Sequence, residues 1–436
     1  MANVPLTGPK ASRRLWADAA WAVTAAFGAY FCMYAFRKPF TAATAQDFGA
    51  MTLWGLDSKA LLVTTQVLGY LLSKVVGIRV VSELPPARRA LGILGLLGVA
   101  LASLLVLGLV PLPYSVPAMF VNGLALGMVF GLVLGFLEGR QVSEALIAGL
   151  CASFILADGV MKTIGTSLLK AGLSATWMPV AAAASFIPFA GLFVWMLSRV
   201  KPPSEQDREH RAPRPAMTRD ERSAFLRRYG VGIGLIVSTY VLTTILRSVR
   251  SDFAPEIWKG LGYDGAASLF TQSELWVALG VTAAVGFTFV FRDNRKGFLA
   301  GLAISVLGFI LVGTALSLHG SGTISGFLLM VLIGLGLYLP YVAIHAVLFE
   351  RLIALTRQRG NLSFLMYVAD AAGYGGFVAL TLSKSLFPKE ADWGGLFKSL
   401  CGVSVVLSLL LLSGTAWYFG GLTSRSVKMS VGAVSE

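Results

Sequence analysis

Twelve stretches of mostly apolar residues recur along the chain between polar or Gly/Pro-rich breaks. Each has about 20 residues, the length a helix needs to cross the roughly 30 Å hydrocarbon layer of a bilayer. Their centres fall near Ala26, Leu71, Gly98, Val129, Leu156, Pro188, Tyr240, Gly280, Leu307, Leu339, Ala372 and Leu409. The pattern predicts an all-α membrane protein of twelve transmembrane helices. One long hydrophilic stretch, Arg199 to Tyr229, follows the sixth helix and is too polar to span. It divides the chain into a six-helix unit at 1–198, a cytoplasmic linker at 199–228 and a second six-helix unit at 229–436. The first apolar run begins near Ala17 after a short polar leader without a small-residue cleavage site, so it reads as a retained helix rather than a signal peptide.

The two units repeat one another. Leu156-Ala-Asp-Gly159 and Val368-Ala-Asp-Ala371 stand 212 residues apart, and Glu138 and Glu350 share that offset. Gly123-Leu124 and Gly334-Leu335 are separated by 211 residues, and Thr65-Gln66 and Thr271-Gln272 by 206. No one pair is decisive. A near-constant offset of six helices is what duplication of a bundle predicts, with the halves related by a pseudo-two-fold axis along the membrane normal.

Composition sharpens the reading without changing it. Of the 436 residues 56% are hydrophobic and only 13% charged, which excludes an ordinary soluble domain. The net charge of +14 is consistent with nucleic-acid binding until its placement is considered. Lys and Arg number 24 in the leader, tail and alternate loops, 7 on the opposite side and 5 within helices. That bias puts both termini and the central linker in the cytoplasm and leaves no basic nucleic-acid surface to explain. Trp16, Trp54, Trp177, Trp258 and Trp393 sit near predicted helix ends, as interfacial aromatic belts require. Cys32, Cys151 and Cys401 lie far apart in apolar runs, with neither metal-ligand nor disulfide spacing, so no metal or cofactor is expected.

A charge inside a membrane helix costs several kcal/mol on insertion scales of about 2.5 to 3.5, so each one marks a candidate site. They are Arg37 and Lys38 at the end of the first helix, Lys74 on the second, Asp158 and Lys162 on the fifth, Arg247 on the seventh, Glu274 on the eighth, His345 on the tenth and Asp370 on the eleventh. With His345 neutral the set carries five positive and three negative charges, an excess of +2 that calls for an anion. Arg37 and Arg247 stand on equivalent helices 210 residues apart. Their planar donor forks suit phosphate or carboxylate oxygens, so together they form a candidate anion clamp. Lys74, Lys162, Tyr34 and His345 are candidate auxiliary binding residues, and Asp158, Asp370 and Glu274 are candidate coupling or charge-balancing groups. Plainer readings compete. Asp158 and Lys162, four apart, can simply neutralise one another. Lys38 and Arg250 are expected to snorkel from helix ends to the interface. His345 alone on an apolar helix reads first as a hydrogen-bonded core residue. Tyr30, Tyr34, Tyr341, Tyr367 and Tyr374 suit a pocket lining and core packing equally.

The run Tyr34-Ala-Phe-Arg-Lys-Pro-Phe40 resembles the aromatic-x-x-Arg-Lys-x-Phe signature of the organophosphate:phosphate antiporters, the bacterial glycerol-phosphate and hexose-phosphate transporters. Ile245-Leu-Arg-Ser-Val-Arg-Ser-Asp-Phe-Ala-Pro255 is similar to that family's seventh-helix pattern, with Arg247, Asp252 and Pro255 in register. Ser73-Lys74, Ile344-His345-Ala346 and Arg292-Asp-Asn-Arg-Lys-Gly297 extend the resemblance over nearly the whole chain. It implies the major facilitator fold, a bacterial inner membrane and a phosphate gripped by Arg37 and Arg247 with Lys74 as a further cation. It also implies that helices three, six, nine and twelve, which hold none of these charges, face lipid while the others line the cavity. Two departures point to a divergent branch: Asp158 falls where that family has a histidine, and Gly77-Ile-Arg-Val-Val-Ser-Glu83 replaces its basic loop after helix two.

The expected activity is therefore secondary transport of a small anion, a phosphate ester in exchange for phosphate, by a monomer whose partners are its solute and membrane lipid. Two alternatives stand beside it. One is a proton-coupled symporter of another small solute, carboxylate or sugar-like, in which Asp158, Asp370, Glu274 or His345 titrates. The other is a transporter-like sensor of a phosphorylated ligand. An enzyme is not expected, since the sequence holds no nucleophile elbow, HExxH or Cys/His cluster.

Overall fold

The computed structural model describes residues 9–49, 51–137, 143–201, 219–263, 266–288, 291, 293–356, 362–383 and 393–432. Among these described residues, twelve long helices occupy the predicted positions. The first six are α1 (Pro9–Met33), α2 (Ser58–Glu83), α3 (Pro86–Leu109), α4 (Val116–Leu137), α5 (Ser143–Lys170) and α6 (Met178–Ser198). After them come α7 (Arg219–Asp252), α8 (Ser268–Thr288), α9 (Asn294–Gly320), α10 (Gly326–Ala343), α11 (Leu362–Ser383) and α12 (Trp393–Gly432). Eleven of these are long and apolar enough to cross a membrane. The twelfth, α8, is 21 residues long and less apolar, because Thr271, Gln272, Ser273 and Glu274 crowd its first turns.

Most of the expected linker, residues 202–218, lies outside the described residues, as does Glu138. Residues 219–228 are helical, the opening turns of α7. They hold because Phe225 and Tyr229, four apart, are buried with their rings 5.3 Å apart, and Tyr418 donates to the Arg228 carbonyl at 3.0 Å.

Which helices face lipid follows from burial. Only 28–39% of the spanning stretch is buried in α3, α6, α9 and α12, against 50–78% in the other seven spans. Leu91, Phe189, Leu307 and Trp417 are among the large side chains these four expose. The helices without internal charges are thus the peripheral ones, since a charge is tolerated only where protein or a wet cavity surrounds it.

Inside each half the helices pack closely. At Gly69 and Gly123 the α2 and α4 backbones touch, and a Cβ on Gly123 would fall 1.9 Å from the Gln66 carbonyl oxygen. Small residues of this kind supply membrane-helix packing where no hydrophobic effect operates. Between the halves the main seams are α5 against α8 and α2 against α11.

Two irregularities place functional groups. α1 gives way to a 3₁₀ turn at Tyr34–Phe36, then to Arg37 and Lys38, then to a second 3₁₀ turn at Pro39–Ala42. Pro39 has no N–H to donate to the Ala35 carbonyl and its ring crowds that carbonyl, so the α-helical ladder stops there even though Lys38 itself keeps φ −102° and ψ −23°. α10 runs into a π-helical turn, Ile344–Leu348, that carries His345, then on through Phe349–Thr356. Such turns rotate side chains out of the helical register and recur at functional sites.

Candidate functional site: a tyrosine-lined cationic cavity

A cavity lies between the halves, lined by Arg37, Lys74, Arg247, His345 and Asp370 and by the aromatic rings of Tyr30, Tyr34, Tyr70, Phe130, Phe154, Tyr341 and Tyr374, with Cys151 and Met366. The Arg37 guanidinium carbon stands 4.1 Å from the Tyr70 ring centre and that of Arg247 4.5 Å from Tyr341. Both arginines are buried, each has a buried Nε without a hydrogen-bond partner, and among the described residues neither has a carboxylate within ion-pair distance. A ring face returns about 0.5 to 2 kcal/mol to a cation. Removing that cation from water costs several kcal/mol, so the rings alone do not balance the site.

Arg37 is held from behind. Gln66 donates through Nε2 to the Arg37 carbonyl at 3.3 Å and to Asn122 Oδ1 at 2.8 Å. Asn122 Nδ2 in turn donates to the carbonyls of Phe36 and Ala100 at 3.2 Å. The amides thereby satisfy carbonyls released by the break in α1, which in lipid would otherwise be unpaired.

On the other wall Lys74 Nζ meets Asp370 Oδ2 at 2.9 Å. The other oxygen of Asp370 accepts from the Tyr240 hydroxyl at 2.5 Å and faces His345 Nε2 at 3.4 Å. His345 Nδ1 is buried and unpartnered. His345 therefore sits at the cavity wall, not in the core.

The remaining internal charges gather elsewhere, at the end of the bundle where α1 finishes and α2 begins. Lys162 bonds to Asp158 one helical turn away, and Lys38 bonds to Asp252 and approaches Asp158 Oδ1 at 3.5 Å. Ser251 joins them, donating to Asp158 Oδ1 at 2.8 Å and accepting from Lys38 at 2.7 Å and Lys162 at 3.2 Å. Lys59, in the first turn of α2 and fully buried, reaches both Glu256 oxygens at 2.8 Å. Glu256 belongs to the short helix Ala254–Gly260 that follows α7. Asp158 and Lys162 lie four and eight residues beyond the nearest cavity residue on α5, Phe154, roughly 6 and 12 Å along the axis.

The sequence expectations sort accordingly. Arg37, Arg247, Lys74, Tyr34, His345 and Asp370 share one cavity. Lys162 and Asp158 do not line it; they neutralise one another beside Lys38. Glu274 does not line it either, because Arg250 Nη1 holds its Oε1 at 2.6 Å and is itself fixed to the Met330 carbonyl at 3.0 Å. Lys38 and Arg250, expected to snorkel, are instead buried at 5% and 3% exposure in these ion pairs. Sequence reasoning passed over Tyr70, Tyr338 and Tyr240, the Gln66–Asn122 strut and the Lys59–Glu256 pair. The internal Gln66 and Asn122 on apolar helices were the available signal.

The charges can now be counted by place. The end cluster holds Lys38, Lys59 and Lys162 against Asp158, Asp252 and Glu256, and Arg250 pairs with Glu274, so both sum to zero. The cavity holds Arg37, Arg247 and Lys74 against Asp370 alone. Among the described residues the first two groups are neutral, and the excess of +2 faces the cavity.

The model of a family of unknown function, DUF5690, matches residues 39–421. The chain belongs to that family. No curated protein matches the sequence. The DUF5690 fold does have solved likenesses. The xylose transporter XylE from E. coli, in a partially occluded inward-open conformation, matches with a TM-score of 0.58 at 15% identity over 92% of this chain and 98% of that one. The human organic anion transporter MFSD10 matches at 0.57 and 16% over 90% and 99%, and the nucleoside transporter NupG at 0.58 and 15% over 91% and 98%. At such identities the likeness establishes the fold, that of the major facilitator superfamily, and a multi-pass membrane protein.

Proposed function

We propose that this DUF5690 chain is a secondary active transporter that moves a small anion, a phosphate ester in exchange for phosphate, by alternating access about the central cavity. The observation that carries the reading is the localised charge: three buried cations and one carboxylate line the cavity, and two of the three cations are guanidiniums with free donors. A divalent anion brings that count to neutrality and supplies the missing acceptors. An empty cavity keeps its uncompensated charge when the halves close, which favours exchange over net movement. The resemblance of Tyr34–Phe40 and Ile245–Pro255 to organophosphate antiporter motifs supports phosphate in particular. One structural neighbour is named an organic anion transporter, others a nucleoside transporter and a D-xylose–proton symporter. Arg37 and Arg247 grip the anion, Lys74 assists, Tyr34 and His345 flank it, and the end cluster closes the outward side.

The test is uptake by proteoliposomes preloaded with phosphate, offered phosphate, glycerol 3-phosphate, hexose phosphates and carboxylates, with and without a pH gradient. Uptake of phosphate esters that requires internal phosphate and ignores the gradient supports exchange. Uptake that follows the gradient favours proton symport instead. No uptake of any anion removes the reading.

The orientation belongs to the same proposal, with both termini in the cytoplasm of a bacterial inner membrane as the 24 to 7 distribution of Lys and Arg indicates. A reporter fused after Glu436 should register as cytoplasmic. Periplasmic activity from that fusion inverts the scheme.

A further inference from the structure

The α2–α11 seam closes in antiparallel order along the bundle. Thr64 meets Thr381 at 3.0 Å, the rings of Tyr70 and Tyr374 stand 5.1 Å apart, and Lys74 meets Asp370 at 2.9 Å. The other ion pairs that cross between the halves, Lys38–Asp252 and Lys59–Glu256, stand with Thr64–Thr381 at the α1–α2 end. Among the described residues Lys74–Asp370 is the one cross-half ion pair on the cavity itself, and it lies on the side away from that end. Of the three cavity cations, Lys74 is the only one whose charge is already met by a carboxylate.

We propose that Asp370 is a built-in stand-in for the cargo anion: it holds Lys74 while the cavity is empty and yields it to a bound phosphate, so that loading opens a cross-half tie. The proposal rests on the anion-transport reading. When Lys74 leaves, Asp370 is not stranded. Its Oδ1 keeps the Tyr240 hydroxyl and faces His345 Nε2, both in its own half. A carboxylate so supported can give up one partner without bearing the full cost of an unpaired buried charge. The exchange thus converts cargo binding into the loss of a contact between halves, which differential binding to two states requires.

Calorimetric titration of the purified full chain with inorganic phosphate and with glycerol 3-phosphate tests this. Asp370→Asn should bind phosphate about tenfold more tightly, because Lys74 is no longer engaged, and Lys74→Met about tenfold more weakly. The doubly substituted Lys74→Met/Asp370→Asn chain should bind as weakly as Lys74→Met alone. Tyr240→Phe, an independent variant, should weaken binding several-fold, since Asp370 without that hydroxyl holds Lys74 harder. Unchanged or weaker binding by Asp370→Asn overturns the proposal. So does the same gain from Asp370→Asn when Lys74 is absent, which makes Asp370 only a background charge, and so does unchanged or tighter binding by Tyr240→Phe. Failure of the unaltered chain to bind either probe removes the transport reading instead.

Discussion

Arg247→Lys should weaken anion binding roughly thirtyfold or more while leaving the protein folded in the membrane. The guanidinium lies over the Tyr341 ring at 4.5 Å with Tyr338 at 5.8 Å, and its Nε has no acceptor. A lysine keeps the charge but not the plane, so it loses both the stacking and the two-pronged grip on an oxyanion. Truncating one member of a buried charge-assisted contact costs about 2 to 5 kcal/mol, a drop of roughly thirtyfold or more in affinity. Arg37→Lys should behave alike, because Arg37 is stacked in the same way on Tyr70. Neither change removes an ion pair, so expression and thermal midpoint should stay close to those of the unaltered chain. Phosphate titration of the purified variants measures the effect. Near-native affinity in Arg247→Lys, with the protein inserted and monodisperse, shows that the clamp is wrong.

The architecture was legible because lipid imposes it. Apolar runs locate all twelve helices, and the offset between Leu156–Gly159 and Val368–Ala371 reveals the duplication. The limit appears at α8, whose run near Gly280 is apolar enough to read as a helix but falls short of the other eleven spans. It appears again at Arg219–Arg228, where polar residues conceal a helix anchored by two aromatic rings. Polarity reports what can face water, not what is helical.

The candidate site was legible in part. Residue type and helix number single out Arg37 and Arg247, since a buried charge must have a reason. They do not say which partner each charge has. Asp158 and Asp370 correspond in the repeat, yet one closes an end cluster with two lysines and the other lines the cavity with Lys74. That difference is set by Ser251, Asp252 and Tyr240 on α7, which reach across space and leave no spacing to read. Snorkelling failed for Lys38 and Arg250 for the same reason. A helix end is a route to water only if no carboxylate is closer, and Asp252 and Glu274 are.

Asp158→Asn should be the most destabilising single change outside the cavity. Asp158 accepts from Lys162, from Ser251 at 2.8 Å and lies 3.5 Å from Lys38 Nζ, all three buried. Neutralising it leaves Lys38, Lys59 and Lys162 against Asp252 and Glu256, a charge of +1 carried on buried lysines. Removing one partner of a buried ion pair costs about 3 to 5 kcal/mol, whereas removing both can be nearly neutral. The midpoint of thermal unfolding in detergent should therefore fall markedly in Asp158→Asn and recover most of the way in Asp158→Asn/Lys162→Met. The recovery is the discriminating result, because a packing defect at Asp158 gains nothing from a second substitution. Since Asp158 also binds Ser251 of the opposite half, the single variant should weaken closure of the outward side and slow exchange while leaving Arg37 and Arg247, and hence phosphate affinity, largely intact. An unchanged midpoint in Asp158→Asn, or no recovery in the double variant, means that the end cluster is not held together by this carboxylate.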